Sequence, residues 1–285
     1  MNDKLVEAHL NWEKGNLEKA LELLLLIENP NPDTLQDIAL IYYELDLLDE
    51  SVEYYLRILQ IDQENASAYY GLGIIYDNLK DYDKAIPFYK KTIEIDSTYE
   101  SAYFFLGCIY DELESEEAEY YYKKTIELSE NYFWAYMNLG SIYETHDKNE
   151  LAFKMFSKAL SLEKTSKSYF NMGVISKKLG DTDKAIEYYE NAIKCEDPYE
   201  YAFFNLGVIY KDQEKYVEAS YMYTRALKIS NEAVFYYNRG CTFNLMKEIS
   251  LAKGDLTKAF KLSDSLKKYA YQDDELNNLK DWLSD

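Results

Sequence analysis

The sequence has few of the residues that interrupt or cross-link a chain. Of its 285 residues only four are proline and ten are glycine, too few for a linker-rich or β-rich protein. Its three cysteines are far apart and odd in number, a pattern that builds neither a disulfide framework nor a zinc site. The two histidines lie 137 residues apart, so neither is a convincing metal ligand or base. We expect reduced thiols, no metal and no cofactor.

Long apolar runs and basic charge are also scarce. The longest apolar run, Leu21 to Ile27, contains a glutamate and is too short to cross a bilayer. The N-terminal residues lack a basic stretch followed by an apolar one, so we expect no secretory signal and a cytoplasmic location. The 31 basic residues against 52 acidic ones leave a net charge of −21. Because this charge repels phosphates, we expect neither nucleic acid nor membrane as a partner.

What the sequence does contain is a repeat. Six glycines recur at intervals of 33 or 34 residues, at positions 73, 107, 140, 173, 207 and 240. An alanine follows each glycine after 12 residues, or after 11 in one unit. A fixed period of this length is typical of a solenoid of repeated structural units.

Inside each unit the apolar residues recur every three or four positions on two segments separated by a short polar turn, such as residues 78–83. This period predicts two amphipathic helices per unit and no strand. The recurring glycine and alanine are small, and we expect them to let the backbones of the two helices approach closely.

These features resemble the tetratricopeptide repeat family, whose motif has Leu-Gly at positions 7 and 8, tyrosine at 11 and alanine at 20. The resemblance implies an all-α, right-handed superhelical solenoid. Arg239 departs from the motif, which has leucine at its position, and one unit has lost a residue in its turn. Eight repeats align at residues 1–31, 32–65, 66–99, 100–132, 133–165, 166–199, 200–232 and 233–265.

The last twenty residues, 266–285, do not fit the motif. Leu276, Leu279, Trp282 and Leu283 form an apolar stripe bordered by charged residues. Because the final repeat of a solenoid would otherwise expose its apolar face, we expect this segment to be a C-terminal capping helix.

No enzyme signature stands out. The glycines Gly71 and Gly73 suggest a phosphate loop only superficially, because a third glycine, a preceding strand and a following Lys-Ser/Thr are missing. We therefore expect no catalytic residue and turn to the surface. By the resemblance, the first helix of each repeat lines a concave groove.

Two rows of residues on the first helices mark the last four repeats. Position 6 is asparagine in all four, and position 5 is apolar. One interpretation is a peptide clamp, in which each carboxamide binds the backbone of an extended peptide. The alternative is that asparagine simply suits the motif at position 6. The asparagines are Asn138, Asn171, Asn205 and Asn238, and the apolar residues are Met137, Phe170, Phe204 and Tyr237.

Charge also changes along the predicted groove. Groove positions in the second to fifth repeats carry acids, whereas the sixth and seventh carry Lys167, Lys177, Lys178 and Lys211. Because lysine is scarce in this chain, the cluster predicts a local positive site for an acidic segment of a partner. No repeat has the lysine at position 5 and asparagine at position 9 by which some family members clamp chaperone tails.

The sequence thus predicts a non-enzymatic scaffold that binds an extended peptide or partner protein. The alternative is a self-assembling module whose groove is filled by a helix or tail of another copy, with the acidic tail around Trp282 as the candidate insert.

Overall fold

A computed structural model describes residues 3–284, and over this range the chain is helical without any strand. Sixteen helices form eight successive pairs, which confirms the all-α repeat prediction for the described residues. The helices are α1 (Asp3–Glu13), α2 (Leu17–Leu25), α3 (Pro32–Glu44), α4 (Leu48–Ile61), α5 (Ala66–Asn78), α6 (Tyr82–Ile95), α7 (Glu100–Glu112), α8 (Glu117–Leu128), α9 (Phe133–Thr145), α10 (Asn149–Leu162), α11 (Ser166–Lys178), α12 (Thr182–Ala192), α13 (Glu200–Asp212), α14 (Tyr216–Ile229), α15 (Ala233–Leu245) and α16 (Ile249–Leu262).

The chain forms two compact units, the first ending at Ala135 and the second beginning at Tyr136. The division falls inside α9 and not at the end of a repeat. Within the first unit, each helix from α1 to α7 packs against the next one in the chain, and the same holds from α10 to α16 in the second. A single repeat domain over residues 1–265 remains a prediction.

Short polar side chains start several of the first helices. The Asn65 side chain accepts a hydrogen bond from the backbone N–H of Ala68 at 2.9 Å. Thr165 and Ser168 form a reciprocal capping box at the start of α11. These bonds satisfy backbone N–H groups that have no partner inside the helix, which fixes where these helices begin.

Five of the recurring glycines make room for an aromatic ring of the facing second helix. A Cβ atom placed on Gly73, Gly107, Gly140, Gly173 or Gly207 would lie 2.5–2.7 Å from the ring of the facing second helix. The rings belong to Tyr89, Tyr122, Phe156, Tyr189 and Tyr223, all nearly or fully buried. In the last repeat Leu256 replaces the ring, and its Cγ would lie 3.0 Å from a Cβ on Gly240.

All eight pairs turn between their helices through a residue with positive φ, a left-handed conformation that favours glycine. Only two of the eight are glycine; the set is Gly15, Asp46, Lys80, Glu114, Asp147, Gly180, Glu214 and Lys247. The short repeat keeps this left-handed residue. Three residues separate Glu114 from Ala118, whereas four separate Lys80 from Ala85, so the missing residue lies between the left-handed residue and the alanine.

The tail after α16 consists of α17 (Asp264–Ala270), a 3₁₀ helix η1 (Asp274–Leu279) and α18 (Lys280–Ser284), where we had expected one helix. Leu276, Leu279 and Leu283 are at most 4% exposed and pack against α15 and α16. The Trp282 ring stacks on Phe260 with the ring centres 6.3 Å apart. The apolar stripe of the tail therefore covers the last repeat.

Candidate functional site

The four asparagines predicted at position 6 lie one on each of α9, α11, α13 and α15, and all four are half-buried. Asn205 donates a hydrogen bond from Nδ2 to the Tyr189 hydroxyl at 3.0 Å. Asn238 donates to the carbonyl oxygen of Val234, one turn earlier in its own helix, at 2.9 Å. Each of these two amides therefore also braces the protein, while its side-chain carbonyl oxygen makes no hydrogen bond within residues 3–284.

The apolar row beside the asparagines is more buried than a binding surface requires. Met137 is 6% exposed, and Tyr237 is 5% exposed and packs in a cluster that includes Leu276 and Leu279 of the tail. Phe170 and Phe204 are half-buried. The Phe170 ring centre lies 4.9 Å from that of Tyr199. The side-chain row predicted from sequence therefore reduces to Phe170 and Phe204.

The four predicted lysines differ in their surroundings. Lys167 and Lys177 are exposed, and the Lys167 ammonium lies 5.8 Å from the centre of the Tyr199 ring. Lys178 forms a 2.5 Å ion pair with Glu144. Lys211 is mostly buried, and its ammonium lies 2.8 and 2.9 Å from the two carboxylate oxygens of Glu275. Two of the four cations are therefore already paired with acids of this chain.

The contact between Lys211 and Glu275 is one part of a polar cluster that joins the tail to α13 and α15. Tyr237 donates a hydrogen bond from its hydroxyl to the Asp273 carboxylate. Asn244 donates to the backbone carbonyl of Glu275 at 2.7 Å. We call Lys211, Tyr237 and Asn244, together with the acids Asp273 and Glu275, the tail latch.

An amide pair extends the tail latch. Asn244 and Asn278 each donate to the other's side-chain oxygen, at 2.7 and 3.0 Å. Burial works to lower the pKa of Lys211, but its hydrogen bonds to Glu275 and the charge of that carboxylate outweigh burial and raise it. The lysine is therefore held in its charged form against the tail.

Cys241 lies beside the tail latch. Its sulfur and the carboxylate oxygens of Asp273 and Glu275 lie within 4.8 Å of one another, close enough for three ligands of one metal ion. Burial, followed by the nearby carboxylates, raises the pKa of the Cys241 thiol and disfavours the thiolate that a metal needs. Both carboxylates are also engaged by Tyr237 and Lys211. The group acts here as a hydrogen-bonded contact.

The first helices of the first unit carry several acids. Asp37 lies 2.7 Å from the His9 ring nitrogen. Asp77 accepts a long hydrogen bond of 3.5 Å from the Tyr89 hydroxyl. Burial, more than any other cause, raises the pKa of Asp77. Asp77 occupies the repeat position that Lys177 and Lys211 occupy in α11 and α13, whereas Asp37 occupies the position of Asn171 and Asn205.

Sequence reasoning missed the tail latch. The 64 residues between Lys211 and Glu275 follow no motif spacing, and Asn244 belongs to no row of like residues. The run Asp273, Asp274 and Glu275 is a weak signal in a chain this acidic. None of the described helices combines the length and the apolar character needed to cross a membrane.

Comparison with protein families finds the tetratricopeptide repeat in four places. One model of this repeat matches residues 66–99 and 166–196, and a second matches residues 32–65 and 135–165. These matches follow the repeat boundaries read from the glycine spacing. No curated protein is similar enough to match the chain.

Solved structures share the fold. MamA is 28% identical, with a TM-score of 0.50, over 55% of this chain and 94% of that one. YrrB, described as a TPR protein with an unusual peptide-binding site, is 22% identical over 65% of this chain and 95% of its own, with a TM-score of 0.52. A tetratricopeptide repeat protein from Parabacteroides merdae is 18% identical over 85% and 98%, with a TM-score of 0.57.

Proposed function

Because the chain belongs to the tetratricopeptide repeat family, we propose that it is a non-enzymatic scaffold that binds an extended segment of a partner protein. The observation that carries the proposal is the row of half-buried asparagines, one on each of four successive first helices. Their side chains are Asn138, Asn171, Asn205 and Asn238, which we call the asparagine row.

A carboxamide presents a donor and an acceptor side by side, so one asparagine can bind the C=O and the N–H of a peptide backbone. Backbone binding of this kind does not depend on the peptide's sequence. Phe170 and Phe204, half-buried beside the row, would contact side chains of the peptide. The peptide-binding site described for YrrB, a protein with a similar fold, is compatible with this role.

The proposal is tested with peptides selected from a displayed library against the full chain. Binding of a selected peptide is then measured calorimetrically to wild type and to the variant in which all four asparagines are replaced by alanine. Each lost hydrogen bond is worth roughly 1 kcal/mol, so the variant should bind up to about a thousandfold more weakly. Unchanged affinity in a folded variant would refute the role of the row.

Two controls separate binding from folding. Asn231→Ala removes an exposed amide in the loop between α14 and α15, and it should change neither affinity nor thermal unfolding. Asn205→Ala alone also removes the partner of the Tyr189 hydroxyl. If the fourfold variant loses stability as much as affinity, the asparagines are packing residues, as the alternative interpretation of the motif holds.

A further inference from the structure

The tail does more than cover the end of the last repeat. Three leucines of the tail cover the last repeat, because they pack on α15 and α16. The carboxylate of Glu275 points elsewhere and reaches Lys211 on α13, a helix of the preceding repeat. A cap needs no such contact. The contact between Glu275 and Lys211 places an acidic segment of this chain against one of the lysines for which the sequence predicted an acidic ligand.

The contacts made to the tail define the chemical pattern of the segment that this surface binds. The Lys211 ammonium pairs with the Glu275 carboxylate, and the Tyr237 hydroxyl donates to the Asp273 carboxylate. The Asn244 amide donates to the Glu275 backbone carbonyl. Leu276 and Leu279 follow and are buried. The bound segment therefore has the pattern Asp-x-Glu-Leu-x-x-Leu, in which two carboxylates precede two apolar anchors.

We propose that the surface formed by Lys211, Tyr237 and Asn244 is a binding site for an acidic amphipathic segment of a partner protein, and that residues 273–279 occupy this site until the partner displaces them. The inference rests on the proposed scaffold function and names the chemistry of one of its partners. Charge complementarity favours this occupant, because Lys211 is mostly buried and is held charged by the carboxylate it pairs with.

Exchange is feasible because a partner segment of the same pattern restores every contact that the tail gives up. The tail has the advantage of being attached, which gives it an effective concentration on the order of millimolar. A free segment therefore binds wild type weakly, and weakening the tail's own carboxylate contacts should expose the site.

The experiment uses the full chain and a fluorescein-labelled synthetic peptide with the sequence of residues 270–285. Peptide binding is followed by fluorescence anisotropy. The double variant Asp273→Asn, Glu275→Gln loosens the tail and should bind the peptide at least tenfold more tightly than wild type does. Adding Lys211→Met to the double variant should abolish the gain, and added salt should weaken binding.

A matched control carries the same change of charge in the tail. Asp274 and Asp281 are exposed and lie outside the tail latch, so Asp274→Asn, Asp281→Asn should leave peptide affinity at the wild-type value. Circular dichroism monitors folding. If the loosened variant does not fold, Glu275→Gln alone, which keeps the bond between Tyr237 and Asp273, decides the question with a smaller gain of the same sign.

Three results would overturn the inference. The first is a folded loosened variant that binds the peptide no more tightly than wild type does. The second is a control variant whose peptide affinity rises as much as that of the loosened variant. The third is a loosened variant that dimerises in light scattering and excludes the peptide. The last result would assign the site to the tail of a second copy. Loss of library-peptide binding in the asparagine-row variant, with tail-peptide binding intact, would separate the two sites. Failure of one proposal is thus distinguishable from failure of the other.

Discussion

Arg239 stands where the repeat motif has leucine, and the structure shows what replaces the apolar contact. Its guanidinium donates to both carboxylate oxygens of Asp255, at 2.6 and 2.9 Å, and to the Thr224 hydroxyl at 2.9 Å. The Asp255 side chain is 7% exposed. The sequence revealed the departure from the motif, but not its partner on the next helix.

We expect Arg239→Leu, which restores the motif, to destabilise the protein by about 3 kcal/mol, because it leaves the Asp255 carboxylate buried without its counter-charge. Urea unfolding measures the loss. Arg239→Leu, Asp255→Leu should recover most of it, since a buried apolar pair can replace a buried ion pair. A single variant as stable as wild type would show that Asp255 finds another partner or water.

The burial of Asp77 should make the free energy of unfolding depend on pH. Its pKa is raised in the folded state above 3.8, chiefly by burial, so the folded protein binds the proton more tightly than the unfolded chain does. Ionised Asp77 therefore lowers the free energy of unfolding at neutral pH, and this loss disappears as the pH falls through the folded-state pKa.

Asp77→Asn, which mimics the protonated form, should accordingly stabilise the protein at pH ~7 and lose that advantage on acidification. Thermal unfolding across the pH range checks it. Asp197→Asn makes the same charge change at an exposed loop position and should show no such trend. An advantage for Asp77→Asn that grows as the pH falls would contradict the assigned sign.

At the scale of the element, five of the eight helix pairs are held by a ring that fills the space above a glycine. The sequence predicted the small residue and the aromatic separately, since each recurs with the repeat. Their contact depends on how the two helices face each other, which the period does not specify. The left-handed turn between the helices of a pair could not be predicted either, because six of the eight left-handed residues are not glycine.

Gly140→Ala should destabilise the protein by roughly 1–3 kcal/mol, because the new methyl group would lie 2.6 Å from the buried Phe156 ring. Gly254 is the matched control. It lies inside α16, and a Cβ there meets nothing within 4 Å. Gly254→Ala should therefore stabilise by up to about 1 kcal/mol through helix propensity. Chemical unfolding of both variants tests the pair, and losses of equal size would refute the packing argument.

The tail shows the limit of prediction for one element. The apolar stripe was correctly expected to cover the last repeat, because amphipathic spacing is visible in sequence. The division into α17, η1 and α18 was not expected, and neither was the pair between Lys211 and Glu275. Both depend on how far the chain must reach across neighbouring helices, and no local pattern encodes that distance.

For the whole molecule, repeat spacing predicted the fold class and eight helix pairs, because each unit repeats the same packing problem. The candidate site was predicted less completely. The amides at position 6 are half-buried and their role stays a prediction, whereas the neighbouring Met137 and Tyr237 are buried. Motif positions indicate which face of a helix a residue occupies. They do not indicate how deeply its neighbours cover it.

Net charge affects the molecule as a whole. With 52 acidic and 31 basic residues, the folded chain repels itself. We expect the melting temperature to rise by several degrees between about 0.02 and 0.3 M sodium chloride, because the Debye length shortens from roughly 20 to 6 Å. Differential scanning calorimetry checks this. A falling melting temperature would mean that local Lys–Glu pairs, which salt weakens, outweigh the general repulsion.

The stacking of Trp282 on Phe260 has an optical consequence. The chain has three tryptophans, and the other two are in α1 and α9. With Trp12→Phe and Trp134→Phe, Trp282 is the one remaining indole. Its emission depends on the polarity around the ring, so release of the tail into water should shift the emission to longer wavelengths. The tail thus carries an intrinsic fluorophore that reports whether it is seated.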